Sequence, residues 1–290
     1  MKRFLIFLMM FLGLPAFAQC DLSVCKQPPY PVTNGAGEFF SKITGMNFIV
    51  TKTAESAIER SIKKQLGAKF DVEITPYGGK GLFEGKFKKI TAEGENVTIE
   101  GMQFSRIYAE SLCEYNRFIF KDFYKEIYTA EPFLMGYTAV FTSEDLQKTL
   151  LSEQYRKFLD SLTVKVGSVT MFKVFDPQVS INGDRLHLAV RIVTPMFFSS
   201  SAKQVSVDLA LEVADEQIVF SDIKFNNGSK YISADALLPL INKLNPFVYK
   251  TNIMDNRNSI VKVSDIKVAD GMVIVKGSVL VPKNYYETDK

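Results

Sequence analysis

The chain has 290 residues, 47% of them hydrophobic, with 24 Phe, no Trp, 3 Cys, 1 His and a formal charge of +3. That length can bury enough surface to fold without disulfide or metal staples. The small net charge gives no electrostatic basis for nucleic-acid binding.

Lys2 and Arg3 precede an apolar run from Phe4 to Leu14 and then Ala16-Phe17-Ala18. This is the pattern of a secretory leader, with cleavage expected after Ala18. The run is short for a membrane span. Cys20 raises the alternative of a lipidated N-terminus, but Gln19 stands where that signal needs a small residue. The mature chain is therefore expected to be exported, and soluble or peripherally bound. Removing residues 1–18 takes away Lys2 and Arg3 and leaves a chain close to neutral.

Residues 19–52 include KQPPYPVTNGAGEFF and read as an N-terminal tether. Cys20 and Cys25 are close enough in sequence to close a small loop, which leaves Cys113 as a buried thiol. No His or second Cys pair accompanies them, so no zinc site is expected.

From Thr53 to Leu66, the residues Ala54, Ala57, Ile58, Ile62 and Leu66 share one helical face. Glu55, Glu59, Arg60, Lys63 and Lys64 form the other, expected to be solvated, and Gly67 stops the helix. Strands then dominate to Phe141: FDVEIT, GKFKKITAEG, NVTIEGMQFSRIYAESL and EIYTAEPFLMGYTAVFT. Ser143 is expected to cap a second helix that runs to about Thr163, with a stripe of Leu146, Leu150, Tyr155, Phe158, Leu159 and Leu162. In RLHLAVRIV, Leu186, Leu188, Val190 and Ile192 share a face, with His187 opposite beside Arg185 and Arg191. Val205, Val207, Leu209, Leu211 and Val213 alternate with Ser206, Asp208, Ala210 and Glu212, as in an antiparallel strand with one dry face. A third helix is expected from Ser233, with Pro239 kinking or delaying it. Two last strands meet at the turn signal Asp270-Gly271.

FTSEDLQKTL at Phe141 resembles YISADALLPL at Tyr231, and the strand pair ending at Pro195 resembles that ending at Pro282. This weak internal repeat suggests a duplicated helix–hairpin unit within one domain over residues 53–290.

Chemistry-bearing motifs are few. No G-x-S-x-G, H-E-x-x-H or phosphate loop is present, and GGKGLFEGK reads as a turn. Asn96-Val97-Thr98 and Asn227-Gly228-Ser229 match glycosylation triplets, a short pattern that arises often by chance. His187, with no partner that the sequence identifies, reads as a surface or rim residue. No catalytic residue, metal or cofactor is expected. Two apolar clusters sit among turn-forming residues: Met196, Phe197 and Phe198 in TPMFFSSS, and Phe133, Leu134 and Met135 in AEPFLMGY. Each either caps the core or forms a lipid-groove mouth or membrane-docking tip.

The order of elements resembles the LmeA-type family of bacterial phospholipid-binding proteins. The resemblance rests on the helix ending in Leu66-Gly67, the Pro76-Tyr77 turn, the Leu82-x-x-Gly85 step and the long strands broken at Gly101. The FTSEDLQKTL, NGDRLHLAV, YISADALLPLI and VADGMVIVKGSVLVP segments extend it to Pro282. The resemblance implies an α+β fold in which a long, strongly curved antiparallel sheet wraps around amphipathic helices and encloses an apolar groove. It implies an exported, non-enzymatic phospholipid-binding protein of the periplasm or cell envelope, with transient contacts to a membrane surface. Arg185 and Arg191 are the candidates to meet the lipid head group. The rival readings are a protein-interaction module of an envelope assembly and an exported hydrolase.

Overall fold

The computed structural model describes Cys25 and residues 46–77, 81, 84–122, 125–161, 164–166, 169–193, 202–227, 238, 241–247 and 260–283. Helix α1 is Met46–Leu66, followed by β1 (Asp71–Pro76), β2 (Lys86–Ile99), β3 (Met102–Ser111), β4 (Asn116–Lys121), β5 (Glu126–Thr129) and β6 (Phe133–Thr142). Helices α2 (Ser143–Leu151) and α3 (Glu153–Ser161) come next, then β7 (Val164–Val166), β8 (Val169–Asn182), β9 (Arg185–Val193), β10 (Lys203–Ala214) and β11 (Gln217–Asn227). A short helical stretch at 241–247 precedes β12 (Ile260–Ala269) and β13 (Met272–Val281).

The molecule is built mainly of antiparallel sheet with a few helices. An 8-stranded sheet runs β12-β13-β6-β3-β2-β4-β5, with β1 also paired to β2. A 5-stranded sheet runs β11-β10-β9-β8-β7, and neither sheet closes on itself. One long sheet was expected; instead the chain leaves β6 into α2, and α2 lies between β3 and β8. The sheets meet at one corner, where Val263 N donates to Glu216 O at 2.8 Å and Lys262 Nζ lies 2.7 Å from Glu216 Oε1. A single apolar cluster spans both sheets and all three helices. Within it Phe141 packs on Phe104 at 4.8 Å and edge-on to Phe247 at 5.4 Å.

Helix α1 begins at Met46, inside the segment expected to be a tether. Ala54, Ala57 and Ile58 are buried as their spacing predicts, and Gly67 ends the helix at φ +73° with its N–H on Lys63 O. Glu55 and Glu59 depart from the expectation of a solvated face. Glu55 is 5% exposed and accepts from Ile74 N at 3.1 Å, while Glu59 accepts from Val72 N at 3.2 Å. One helical turn separates these carboxylates, and two strand residues separate the two amides. They therefore satisfy the outward N–H groups of β1, which an edge strand would otherwise leave open.

Helix α2 repeats the device. Ser143 Oγ accepts from Ile181 N at 2.9 Å, and Gln147 Oε1 accepts from Val179 N at 2.8 Å. Each helix is followed by an antiparallel meander, β1-β2-β3 after α1 and β8-β9-β10 after α2. The β12–β13 hairpin forms at its Asp270-Gly271 turn signal, whereas the helix segment at 231–240 lies largely outside the described residues.

The cap of α2 is Thr142 rather than Ser143. Its side chain accepts from Asp145 N, and Asp145 Oδ2 accepts from Thr142 N at 2.8 Å, a capping box. Ser105 Oγ also donates to Asp145. Burial opposes the charged form of Asp145, but the Ser105 and Thr142 hydrogen bonds outweigh it and hold the carboxyl below its ordinary value. The expected single helix breaks at Ser152, which has extended geometry and starts α3.

Asp145→Asn should cost about 2–3 kcal/mol at neutral pH, the sum of a lost cap and a charged acceptor. Because the folded carboxyl titrates below the unfolded one, its contribution is complete above about pH 4 and fades as pH falls through the folded value. Urea unfolding should therefore show the gap between wild type and variant shrinking in acid; a pH-independent gap would disprove the charged-cap account.

The expected pairing of Cys20 with Cys25 is corrected by the structure. Cys25 is bonded to Cys113, 88 residues away. Cys113 lies in the turn after β3, so the segment before α1 is tied to the domain. Cys20 lies outside the described residues.

The strand segments named from the sequence leave out β4, β7 and β11. Asp215 and Glu216 form the β10–β11 turn, both at positive φ (49° and 60°) without a glycine, so no turn signal announces β11. In β8 the register slips between Phe175 and Gln178, with Asp176 at φ +54°, which breaks the alternation.

Candidate functional site

The densest polar arrangement lies on the face of the five-stranded sheet opposite its buried aliphatic residues. Strand register places Ser180 beside His187 and His187 beside Asp208. One rung along, Gln178 is beside Ala189 and Ala189 beside Ser206. Their alternation partners Leu186, Leu188, Leu209 and Leu211 are buried in the core, while Glu212 is exposed.

His187 is half-buried and has a partner that its sequence context did not identify. Its Nδ1 lies 2.7 Å from Asp208 Oδ1, and Asn226 Nδ2 donates to Asp208 Oδ2 at 2.6 Å. The Asn226 amide, then His187, hold the Asp208 carboxyl below its ordinary value. A carboxylate only accepts, so the Nδ1–H of the ring donates to it and Nε2 is the ring's remaining polar atom. No signal in one strand reveals this pair, because its members are 21 residues apart and meet only through register.

Beside the pair is a depression of about 400 Å³ lined by Gln147, Gln178, Val179, Ser180, His187, Ala189 and Gln204. Val179 and Ala189 are buried beneath it, while Gln178 and Gln204 are exposed. Gln147 is fixed at both ends: its Nε2 donates to Pro177 O at 3.1 Å as its Oε1 accepts from Val179 N.

Ser180, His187 and Asp208 repeat the residue types of a serine-hydrolase triad. That chemistry requires the serine hydroxyl on the imidazole and donors facing an oxyanion. The hydrogen bonds of the described residues join His187 to Asp208 but not to Ser180. In this geometry Asp208 orients the His187 ring.

No protein-family model and no curated protein matches this chain.

Arg185 and Arg191, the head-group candidates, lie on the same polar face and both meet carboxylates. Arg185 Nη1 is 2.7 Å from Asp222 Oδ2, and its Nη2 donates to Asp222 O, which fixes the guanidinium onto β11. Arg191 keeps one long contact, Nε to Asp176 Oδ2 at 3.6 Å, with half its side chain exposed. Phe133 and Leu134 lie in a strand and not at an exposed loop tip. They open β6 and are 4% and 7% exposed, with Phe133 packed edge-on to Phe118 at 5.5 Å, while Met135 is half-buried. The preceding Pro132 suggested a loop, but a proline just ahead of a strand is ordinary. Met196, Phe197 and Phe198 lie outside the described residues. Among the described residues no helix is long and apolar enough to cross a membrane.

Proposed function

We propose that this protein is an exported, non-enzymatic phospholipid-binding protein of the cell envelope. In this reading the sheets curve around the helices and shelter acyl chains in an apolar groove. The observation that carries it is the laying of α1 and α2 along open antiparallel meanders over one shared, Phe-rich interior. That arrangement accords with the order of motifs that resembles LmeA-type proteins. An acyl methylene exposed to water costs about 0.8 kcal/mol, so a two-chain lipid of about 30 methylenes faces about 24 kcal/mol outside a membrane. An apolar groove offsets most of that. The donor membrane shelters the same chains, so transfer between the two is close to neutral and reversible.

Met196, Phe197 and Phe198 join the strands β9 and β10 and serve as the docking tip in this reading. Their insertion contributes roughly 5–9 kcal/mol gross, less the cost of ordering, which suits brief contact.

Native mass spectrometry of protein purified without detergent should show adducts of phospholipid mass. Protein that is lipid-free and takes up no phosphatidylglycerol from liposomes would refute the reading. Phe197→Ser with Phe198→Ser should weaken liposome flotation while leaving urea stability within about 1 kcal/mol. A core-capping loop would instead lose on the order of 3–5 kcal/mol.

A further inference from the structure

We infer that the depression on the five-stranded sheet is a binding site for an uncharged, hydroxyl-rich ligand, a sugar or sugar-like head group. The inference does not depend on an acyl-chain groove.

Three observations carry it. The first is available hydrogen-bonding capacity. The side chains of Gln178, Ser180 and Gln204 line the depression and make no hydrogen bond within the described structure. Two carboxamides and a hydroxyl each offer donor and acceptor, and His187 adds the polar Nε2. Adjacent hydroxyls of a sugar are themselves both donor and acceptor, so they can satisfy such a mixed set.

The second is preorganisation. Asn226 holds Asp208, and Asp208 holds the His187 ring, at 2.6 and 2.7 Å. Gln147 locks the neighbouring backbone of β8 from the other side. Rings and walls fixed in this way lose little freedom on binding.

The third is charge. The charged groups around the depression have partners within the protein: Asp208 accepts from His187 and Asn226, Arg185 meets Asp222, and Arg191 lies 3.6 Å from Asp176. A phosphate or carboxylate would find no uncompensated cation among the lining residues. An apolar ligand would strip water from the carboxamides and return nothing.

The site lies close to where β9 and β10 leave the sheet toward Met196–Phe198, since Gln204 pairs with Arg191 near that end. The hydroxyls can therefore belong to a free sugar or to a glycolipid head group. The test is a titration of the ¹⁵N-labelled mature chain, followed by side-chain amide and imidazole resonances. One arm uses glucose, galactose and N-acetylglucosamine. A second uses phosphatidylglycerol liposomes with and without glucosyl diacylglycerol. The Gln178, Gln204 and His187 resonances should shift in at least one arm. Gln178→Ala with Gln204→Ala, both exposed and tolerable for folding, should weaken the response by about tenfold. Shifts in the first arm identify a free sugar, and a response confined to glucosylated liposomes identifies a head group. Absence of shifts in both arms, an unchanged response in the double variant, or a stronger response to inorganic phosphate would overturn the assignment.

Discussion

Cys113→Ala should lower stability by about 4–5 kcal/mol, the loss expected when a disulfide closing a loop of nearly ninety residues is removed from the unfolded ensemble. The bond joins Cys25 to Cys113 and ties the segment before α1 to the turn after β3. Cys25→Ala should cost the same, and a reductant should bring wild type to the level of either variant. Cys20→Ala should change nothing, because Cys20 has no part in this bond. The three variants thus separate this pairing from the local Cys20–Cys25 loop that sequence proximity suggests. Urea unfolding gives the magnitudes, and peptide mapping without reduction gives the connectivity. Recovery of a Cys20–Cys25 peptide, or a Cys20→Ala variant as unstable as Cys113→Ala, would refute the structure at this point.

A comparable loss is expected from Gly85→Ala. Gly85 has φ +70°, and its carbonyl accepts from Phe118 N at 2.8 Å, so the chain before β2 presses against β4. A Cβ at this position would lie 1.9 Å from Phe118 O. That oxygen belongs to backbone and cannot swing away, so β4 must move as a unit. The left-handed conformation alone costs an L-residue roughly 1–2 kcal/mol, and displacing β4 should bring the total to on the order of 3–5 kcal/mol. Gly183 is the matched control. It has φ +65° but nothing within 4 Å of an added Cβ, so Gly183→Ala should show only the conformational part. Equal losses at the two sites would show that the close approach to Phe118 does not matter. Gly85 is also one of the positions on which the family resemblance rests, and this contact gives it a physical reason.

Much of the framework was legible in the sequence because it is written in local periodicity. Leu209 and Leu211 are buried and Glu212 is exposed, as strict alternation requires. Ala54, Ala57 and Ile58 face inward on α1 at helical spacing, and Asp270-Gly271 turns the last hairpin with both residues at positive φ. The features that define the candidate site depend on register and closure instead. Ser180, His187 and Asp208 become neighbours only when three strands align. Glu55 and Glu59 look like solvated helix charges until β1 offers them its edge amides. Phe133 and Leu134 look like loop residues until β6 pairs with β13 and β3 and takes them into the core. Cys113 finds Cys25 rather than staying a thiol because the turn after β3 brings the two together. A chain's periodicity records which side of each element avoids water, a choice made within a few residues. Partnerships between polar groups far apart in sequence are decided by where the elements dock, and only the packed structure fixes that.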